Sequence, residues 1–281
     1  MDWFEEDCDP HWRQRMAVSR IVHRQHTGLQ EVLVFDNPTL GRVLVLDGVV
    51  QTTERDEFIY HEMLTHVPIV AHGAARDVLI IGGGDGGALE EVLKYPGIAR
   101  VTLVELDRRV VEIATAHLGA IHRGAFEDPR AELLFADGVD FVARSDRRFD
   151  VIIVDSTDPT GPGEALFTEA FYADCRARLR QGGILVGQSG NPFCEPERFH
   201  AGQERLGRVF ADASFMLTAV PTYLSGPFAI AWASDDPAKR RLSVAELARR
   251  DQPAGLRCYS AAVHVAAFAH PPWLANRPSP G

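Results

Sequence analysis

The chain has 281 residues and a formal net charge of −10 at neutral pH, with 29 Lys and Arg against 39 Asp and Glu. That length holds one large domain, or one large and one small, around a core of ordinary size. An acidic balance without clustered Lys and Arg argues against a nucleic-acid partner and suits small cationic ligands.

From Ser19 to Thr53, short runs rich in Val, Leu and Ile alternate with turn residues. Glu31 to Asp36, Arg42 to Leu46 and Val49 to Thr52, separated by Asn37-Pro38 and Asp47-Gly48, read as an antiparallel unit of hairpins. Residues 1–55 are therefore taken as a small N-terminal β domain and 56–281 as the catalytic domain. Glu54 to Val70 turns helical, with Phe58, Met63, Leu64 and Val67 near helical spacing.

After Asp77 strand and helix alternate. Strands are expected at Val78 to Ile81, Arg100 to Val104, Ala131 to Ala136, Val151 to Val154 and Gly183 to Gln188. Helices are expected at Ala88 to Tyr95, Arg108 to Leu118, Gly138 to Arg144, Glu169 to Leu179 and Glu195 to Val209. This alternation is the signature of a parallel sheet with crossover helices. Closing strands are placed around Phe215 to Val220 and Phe228 to Ala233, and the proline-rich tail, Pro271 to Gly281, is expected to be poorly ordered.

Cys8, Cys175, Cys194 and Cys258 lack Cys-x-x-Cys spacing, so neither a zinc site nor a disulfide framework is indicated, and a reduced cytoplasmic compartment is expected. The acidic N-terminus has no apolar region of a secretory signal, and no run reaches the roughly 18 apolar residues of a membrane helix.

The chemistry concentrates at the strand ends. Asp155-Ser156-Thr157-Asp158-Pro159 follows the apolar run Phe149 to Val154, which sets two carboxylates at the carboxyl end of a buried strand, where open α/β sheets bind ligands. Either acid could instead cap the next helix or a turn.

Gly82-Gly83-Gly84-Asp85-Gly86-Gly87 fits G-x-G-x-x-G between the first strand and its helix, and Glu105 follows about 20 residues later, where an acid binds a ribose diol. Asp85 inside the turn would repel a pyrophosphate but attract an ammonium or sulfonium, which favours an adenosyl sulfonium ligand over a dinucleotide. Asp137, before Gly138, is placed to accept from an adenine amino group or to cap the following helix. The five acids Asp85, Glu105, Asp137, Asp155 and Asp158 call for a polycationic occupant.

With these segments, Leu46 to Met63, Ile81 to Gly87, Val104 to Asp107, Asp137-Gly138, Asp155 to Glu164, Pro221-Thr222-Tyr223 and Trp232, the chain resembles the polyamine aminopropyltransferases of the spermidine synthase type. The resemblance implies a Rossmann-like, methyltransferase-type parallel sheet with a small N-terminal antiparallel β domain. It implies transfer of the aminopropyl group of decarboxylated S-adenosylmethionine to putrescine, as in spermidine biosynthesis, without a metal.

It also implies site roles. Gln30, Gly82, Gly84, Asp85, Glu105, Asp137, Gly138 and Pro162 surround the adenosyl cosubstrate. Tyr60, His61, Asp85, Asp155, Asp158 and Tyr223 surround the amine, with Asp155 as the base. The expected partners are small molecules and further copies of the chain, as a homodimer or homotetramer, with neither nucleic acid nor membrane.

Glu90 departs from the family, which usually has Arg there; this bears on salt bridging or subunit contacts more than on chemistry.

Other readings stand beside these. His61 could be a packed helix-face histidine, and Tyr223 a core tyrosine with a satisfied hydroxyl. Tyr259 and His264 are read as structural. On the same fold, an S-adenosylmethionine-dependent N-methyltransferase of small amines is the alternative enzyme, and a nucleoside-binding protein without activity is the non-catalytic one.

Overall fold

A computed structural model describes residues 2–9, 11–157, 161–223 and 226–275. The N-terminal strands are β1 (Asp2–Asp9), β2 (Trp12–Val18), β3 (Arg20–His26), β4 (Glu31–Asn37), β5 (Gly41–Leu46) and β6 (Val49–Thr53). β1 and β2 pair as a hairpin, and β3-β4-β5-β6 form an antiparallel sheet in chain order. Asp47 and Gly48, at φ of 48° and 83°, turn the chain between β5 and β6, the two positive-φ positions that match a two-residue hairpin to strand twist.

The main body contains α1 (Glu57–His72), β7 (Asp77–Gly82), α2 (Gly87–Leu93), β8 (Arg100–Glu105), α3 (Arg108–His117), α4 (Gly119–His122), β9 (Ala131–Phe135), α5 (Gly138–Arg144), β10 (Phe149–Asp155), α6 (Glu169–Arg178), β11 (Leu179–Gln188), α7 (Pro196–Val209), β12 (Asp212–Thr218), β13 (Phe228–Ser234), α8 (Val244–Leu247), α9 (Ala261–Ala267) and α10 (Pro272–Ala275). Seven of these strands form one sheet in the order β12-β13-β11-β10-β7-β8-β9. β7 to β11 are parallel, whereas β13 runs antiparallel to both β11 and β12. The sheet is thus mixed at one end, a detail that strand periodicity does not encode.

Period-two alternation divides the core. Val78 and Ile80 of β7 face a layer containing Leu64 and Val67 of α1 and Leu89 of α2, while Leu79 and Ile81 face Val142 of α5, Phe171 of α6 and Leu206 of α7. Both faces are covered, which explains why these strands read as continuous apolar runs.

β4 works the same way at smaller scale. Val32 and Val34 pack with Val110 and Ile113 of α3, whereas Leu33 and Phe35 pack with Met16 of β2 and Val43 of β5. The N-terminal sheet therefore shares a core with a helix of the main body.

Helix α1 is the central strut. It runs past Pro68 and closes at Gly73, whose φ of 81° suits a left-handed C-cap. Its buried Glu62 accepts from the backbone N–H groups of Arg257, Cys258 and Tyr259 at 2.8–3.1 Å, pinning the C-terminal segment. Tyr259 and His264 then join through Tyr259 Oη and His264 Nδ1 at 3.0 Å, both buried, in keeping with a structural role. The tail expected to be loose is ordered at its start: Pro272–Ala275 is helical and Leu274 is buried. Residues 276–281 lie outside the described residues.

Removing the Glu62 carboxylate strands three backbone donors in a buried place. Glu62→Ala is expected to lower stability by about 2–4 kcal/mol, read as a drop in the urea midpoint. An unchanged midpoint would show that the C-terminal segment docks without it.

Candidate active site

The acids gather where the strand order of the sheet reverses. β7 and β10 are neighbours, but the helices that follow them, α2 and α6, pack on opposite faces. The chain therefore diverges at their carboxyl ends and opens a crevice, the usual ligand site of such sheets.

The glycine turn is what brings Asp85 and Asp155 together. Gly83 N–H donates to the Asp155 backbone carbonyl at 2.7 Å. Gly82 has a φ of 81°, and a Cβ there would come within 2.2 Å of the same oxygen. No side chain fits between the turn and the end of β10. Beyond it, Asp85 Oδ1 accepts from Gly87 N–H at 2.7 Å, which fixes the carboxylate at the start of α2.

Helix α1 supplies the other wall. Tyr60 O–H donates to Asp155 Oδ1 at 2.9 Å, while Asp155 Oδ2 is buried and has no hydrogen-bond partner among the described residues. One side-chain nitrogen or oxygen from each of His61, Asp85 and Asp155 lies within 4.8 Å of the others. His61 Nδ1 is 2.8 Å from Glu57 Oε2, and its Nε2 is 3.7 Å from Asp85 Oδ1. The ring lies flat against the chain at Gly87, where a Cβ would be 2.2 Å from it.

These neighbours push the titrations apart. Burial first, then the Asp85 charge, raise Asp155 to about 6. Burial also works to raise Asp85, but His61 outweighs it and holds that carboxyl below its ordinary range. For His61 burial works downward, and Asp85 and Glu57 overcome it, so the imidazole sits well above its usual value. Glu105, at the end of β8, is raised to about 7 by burial and by the charges of Asp107 and Asp155. Tyr60 is held well above its usual value, by burial first and Asp155 second, and stays protonated.

A second group of residues lines the neighbouring end of β8. Glu105 Oε1 accepts from Asp107 N–H at 2.9 Å, and a Cβ on Gly84 would lie 3.0 Å from Glu105 Oε2. Gln30, from the loop between β3 and β4, donates to Asp107 Oδ2 at 3.1 Å. Asp137 is exposed and caps α5, accepting from Val139 N–H at 2.7 Å. Gly138 lets that helix lie on β7, since a Cβ would be 2.3 Å from the Ile81 methyl.

Tyr223 flanks Tyr60 with ring centroids 5.8 Å apart and donates to the Gln51 carbonyl at 2.7 Å. Its hydroxyl is thus satisfied, and its ring borders that of Tyr60.

Of the five acids counted at the strand ends, Asp85, Glu105 and Asp155 converge, and Asp137 stands further out at the rim. Asp158 lies outside the described residues. Pro162 falls in the 3-10 turn Gly161–Phe167, but its side chain is likewise outside them. His61 stands among the acids, buried between Glu57 and Asp85. Glu90 pairs with Lys94 at 3.0 Å and lies 3.9 Å from Arg123, a local arrangement away from the crevice.

Two contributors went unassigned in the sequence. Glu57 stands four residues before His61 on a predicted helix, a spacing that puts both on one face and could have been read. Asp56 had no such signal: its buried Oδ2 accepts from Thr222 N–H at 2.9 Å and Oγ1 at 2.8 Å, tying the Tyr223 loop to the start of α1.

A model of the spermine/spermidine synthase domain matches residues 57–243, and one of the spermidine synthase tetramerisation domain matches residues 2–54. The chain belongs to the spermine/spermidine synthase family. It is 50% identical over 275 residues to a polyamine aminopropyltransferase of Sodalis glossinidius, covering 97% of this chain and 96% of that one. It is 49% identical over 276 residues to polyamine aminopropyltransferase 1 of Pseudomonas aeruginosa, covering 98% and 96%.

Among solved structures, it superposes on a spermidine synthase in complex with the transition-state analogue AdoDATO with a TM-score of 0.87 at 39% identity, covering 96% of this chain and 92% of that one. The spermidine synthase of Thermotoga maritima gives 0.86 at 38% identity with the same coverage. A member of this family is a transferase, and the fold is the Rossmann-like, methyltransferase-type one of these neighbours.

A carboxyl raised from 3.8 to about 6 on folding carries a penalty for its charged form. The penalty is fully present above about pH 6 and fades as pH falls towards the unfolded value. Asp155→Asn is therefore expected to be more stable than the wild type by about 1–3 kcal/mol at pH 8. The gain should shrink as pH falls from 7 towards 4, as read by urea unfolding across that range. A mutant less stable at pH 8 would refute the raised value.

Proposed function

We propose that this protein moves the aminopropyl group of decarboxylated S-adenosylmethionine to putrescine, giving spermidine and methylthioadenosine. The observation that carries the reading is Asp155: a buried carboxylate with one oxygen held by Tyr60, the other without a partner among the described residues, and a pKa near the working range of a general base.

At neutral pH a primary amine is protonated and has no lone pair. Asp155 takes that proton, directly or through the Tyr60 hydroxyl. The amine nitrogen then attacks the propyl carbon next to sulfur: the N–C bond forms, the C–S bond breaks, and its electron pair neutralises the sulfonium to a thioether. The product nitrogen is a secondary ammonium that keeps its two protons, and the proton taken by Asp155 passes to solvent, which restores the base. The leaving group needs no acid, and most of the remaining acceleration comes from holding nitrogen, carbon and sulfur in line.

The further assignments follow the family resemblance. Asp85 holds the ammonium end of the aminopropyl arm. Gln30, Gly82, Gly84, Glu105, Asp137, Gly138 and Pro162 surround the adenosyl part, with Glu105 on the ribose diol. Tyr223 and Asp158 complete the amine side. Residues 1–55 act as the oligomerising β domain of a homodimer or homotetramer, and residues 56–281 as the catalytic one, in the cytoplasm. Among the described residues no helix is long and apolar enough to cross a membrane. The relatives named as aminopropyltransferases weigh against the N-methyltransferase alternative.

Asp155→Asn, expected to fold well, should lower turnover by at least about a hundredfold. Near wild-type turnover would sink the assignment.

Cofactor choice gives a separate check. S-adenosylmethionine adds a carboxylate to the arm that Asp85 faces, and two like charges a few ångströms apart at an effective dielectric near 20 cost on the order of 2–4 kcal/mol, or about 30- to 1000-fold in affinity. Asp85→Asn should narrow the preference for the decarboxylated form, measured by calorimetric titration of both. An unchanged ratio would show that Asp85 does not set the choice.

A further inference from the structure

His61 has an acid at each ring nitrogen. Glu57 Oε2 lies 2.8 Å from Nδ1 and Asp85 Oδ1 lies 3.7 Å from Nε2. A neutral ring would turn a lone pair towards one of these carboxylates; a doubly protonated ring turns an N–H to each. Behind Glu57 stands Arg257, with its guanidinium 3.5 Å from Glu57 Oε1 and laid over the Phe58 ring at 3.6 Å. The order Arg257, Glu57, His61, Asp85 therefore alternates in charge from the half-exposed surface into the crevice.

The ring cannot swing out of this line. It is buried, it lies against Gly87, where even a methyl group would collide with it, and its edge meets Tyr60 with centroids 5.3 Å apart. The ionisable groups facing it are Glu57 and Tyr60 from its own helix, Asp85 from the glycine turn and Asp155 from the end of β10.

We infer that Glu57 is a positioning residue which, backed by Arg257, fixes His61 as an imidazolium that orders Asp85. The imidazolium faces Asp85 with Nε2 at 3.7 Å. Its use is to keep Asp85 charged and aimed, beside an Asp155 that must release its own proton to work. Arg257 lies beyond the 57–243 span of the matched catalytic domain, so the C-terminal segment takes part in setting the site.

The inference rests on the reading of Asp85 as an ammonium anchor, and its test separates the two. The probe is nuclear magnetic resonance of histidine ring nitrogens in the full-length protein, with His61 assigned by its loss in His61→Gln. In the wild type both His61 nitrogens should carry protons from pH 6 to 8; in Glu57→Gln the ring should titrate inside that window. Glu57→Gln should raise the amine KM about tenfold while kcat at saturating amine stays within about threefold, and Arg257→Gln should move both readouts the same way by less. If Glu57→Gln does not fold, the half-exposed Arg257→Gln carries the comparison.

A neutral His61 in the wild type at pH 7.5 would overturn the proposal, as would wild-type titration and amine KM in the variants. A protonated His61 in a protein without aminopropyl transfer would leave the charge chain standing and remove the functional reading instead.

Discussion

The structure depends on one electrostatic constraint: three carboxylates, Asp85, Asp155 and Glu105, are gathered at the reversal point of the sheet with the buried imidazole of His61, whose protonation Asp85 and Glu57 favour, among them. Charges of one sign crowded into a site shielded from water cannot all ionise with ease, so their titrations separate. Asp85, next to His61, keeps its charge, whereas Asp155 and Glu105 are raised to about 6 and about 7. The separation assigns work. The easily ionised acid suits holding a cation, and the reluctant one suits taking a proton.

The backbone around the site is arranged to hold that crowding in place. Gly82 and Gly83 let the turn touch β10 directly, and Gly87 leaves room for the His61 ring. Glu57, Tyr60 and His61 come from consecutive turns of α1, a helix buried along most of its length. That helix is in turn anchored at its start by Asp56, which accepts from Thr222, and in its middle by Glu62, which holds the segment after Arg257. A strut anchored at both points can present three side chains without moving. This is how positions far apart in the chain come to share one site.

Much of this was legible in the sequence because the signals are local. The apolar runs of β7, β8 and β10, the glycine turn after β7 and the acids directly after each strand follow from neighbouring residues, and Asp85, Glu105 and Asp155 stand where that reading put them. What escaped has non-local causes. The antiparallel insertion of β13 depends on pairing with β11 and β12, and the β1–β2 hairpin sets acids in β1 against arginines in β2, with few of the Val, Leu and Ile residues that mark the later strands. Gln30 reaches the site through Asp107, and Arg257 through Glu57; in neither case does sequence spacing announce the partner. Geometry also gives Asp137 and Gly138 structural roles, capping α5 and packing it on Ile81.

Burial that makes Asp155 a useful base also makes the empty site unfavourable, because each raised carboxyl is a charge kept away from water without full compensation. As the inferred imidazolium, His61 supplies one positive charge, locked between Glu57 and Asp85, and so cannot follow the proton of Asp155. The remaining imbalance is left to what enters the crevice. In the proposed reaction a diamine and a sulfonium bring mobile positive charge that is present when substrates are bound and reduced when the thioether has formed, since reaction neutralises sulfur. On that reading the site is matched to the charge of its reactants more closely than to that of the nucleoside product, a difference of the sign needed for the product to leave.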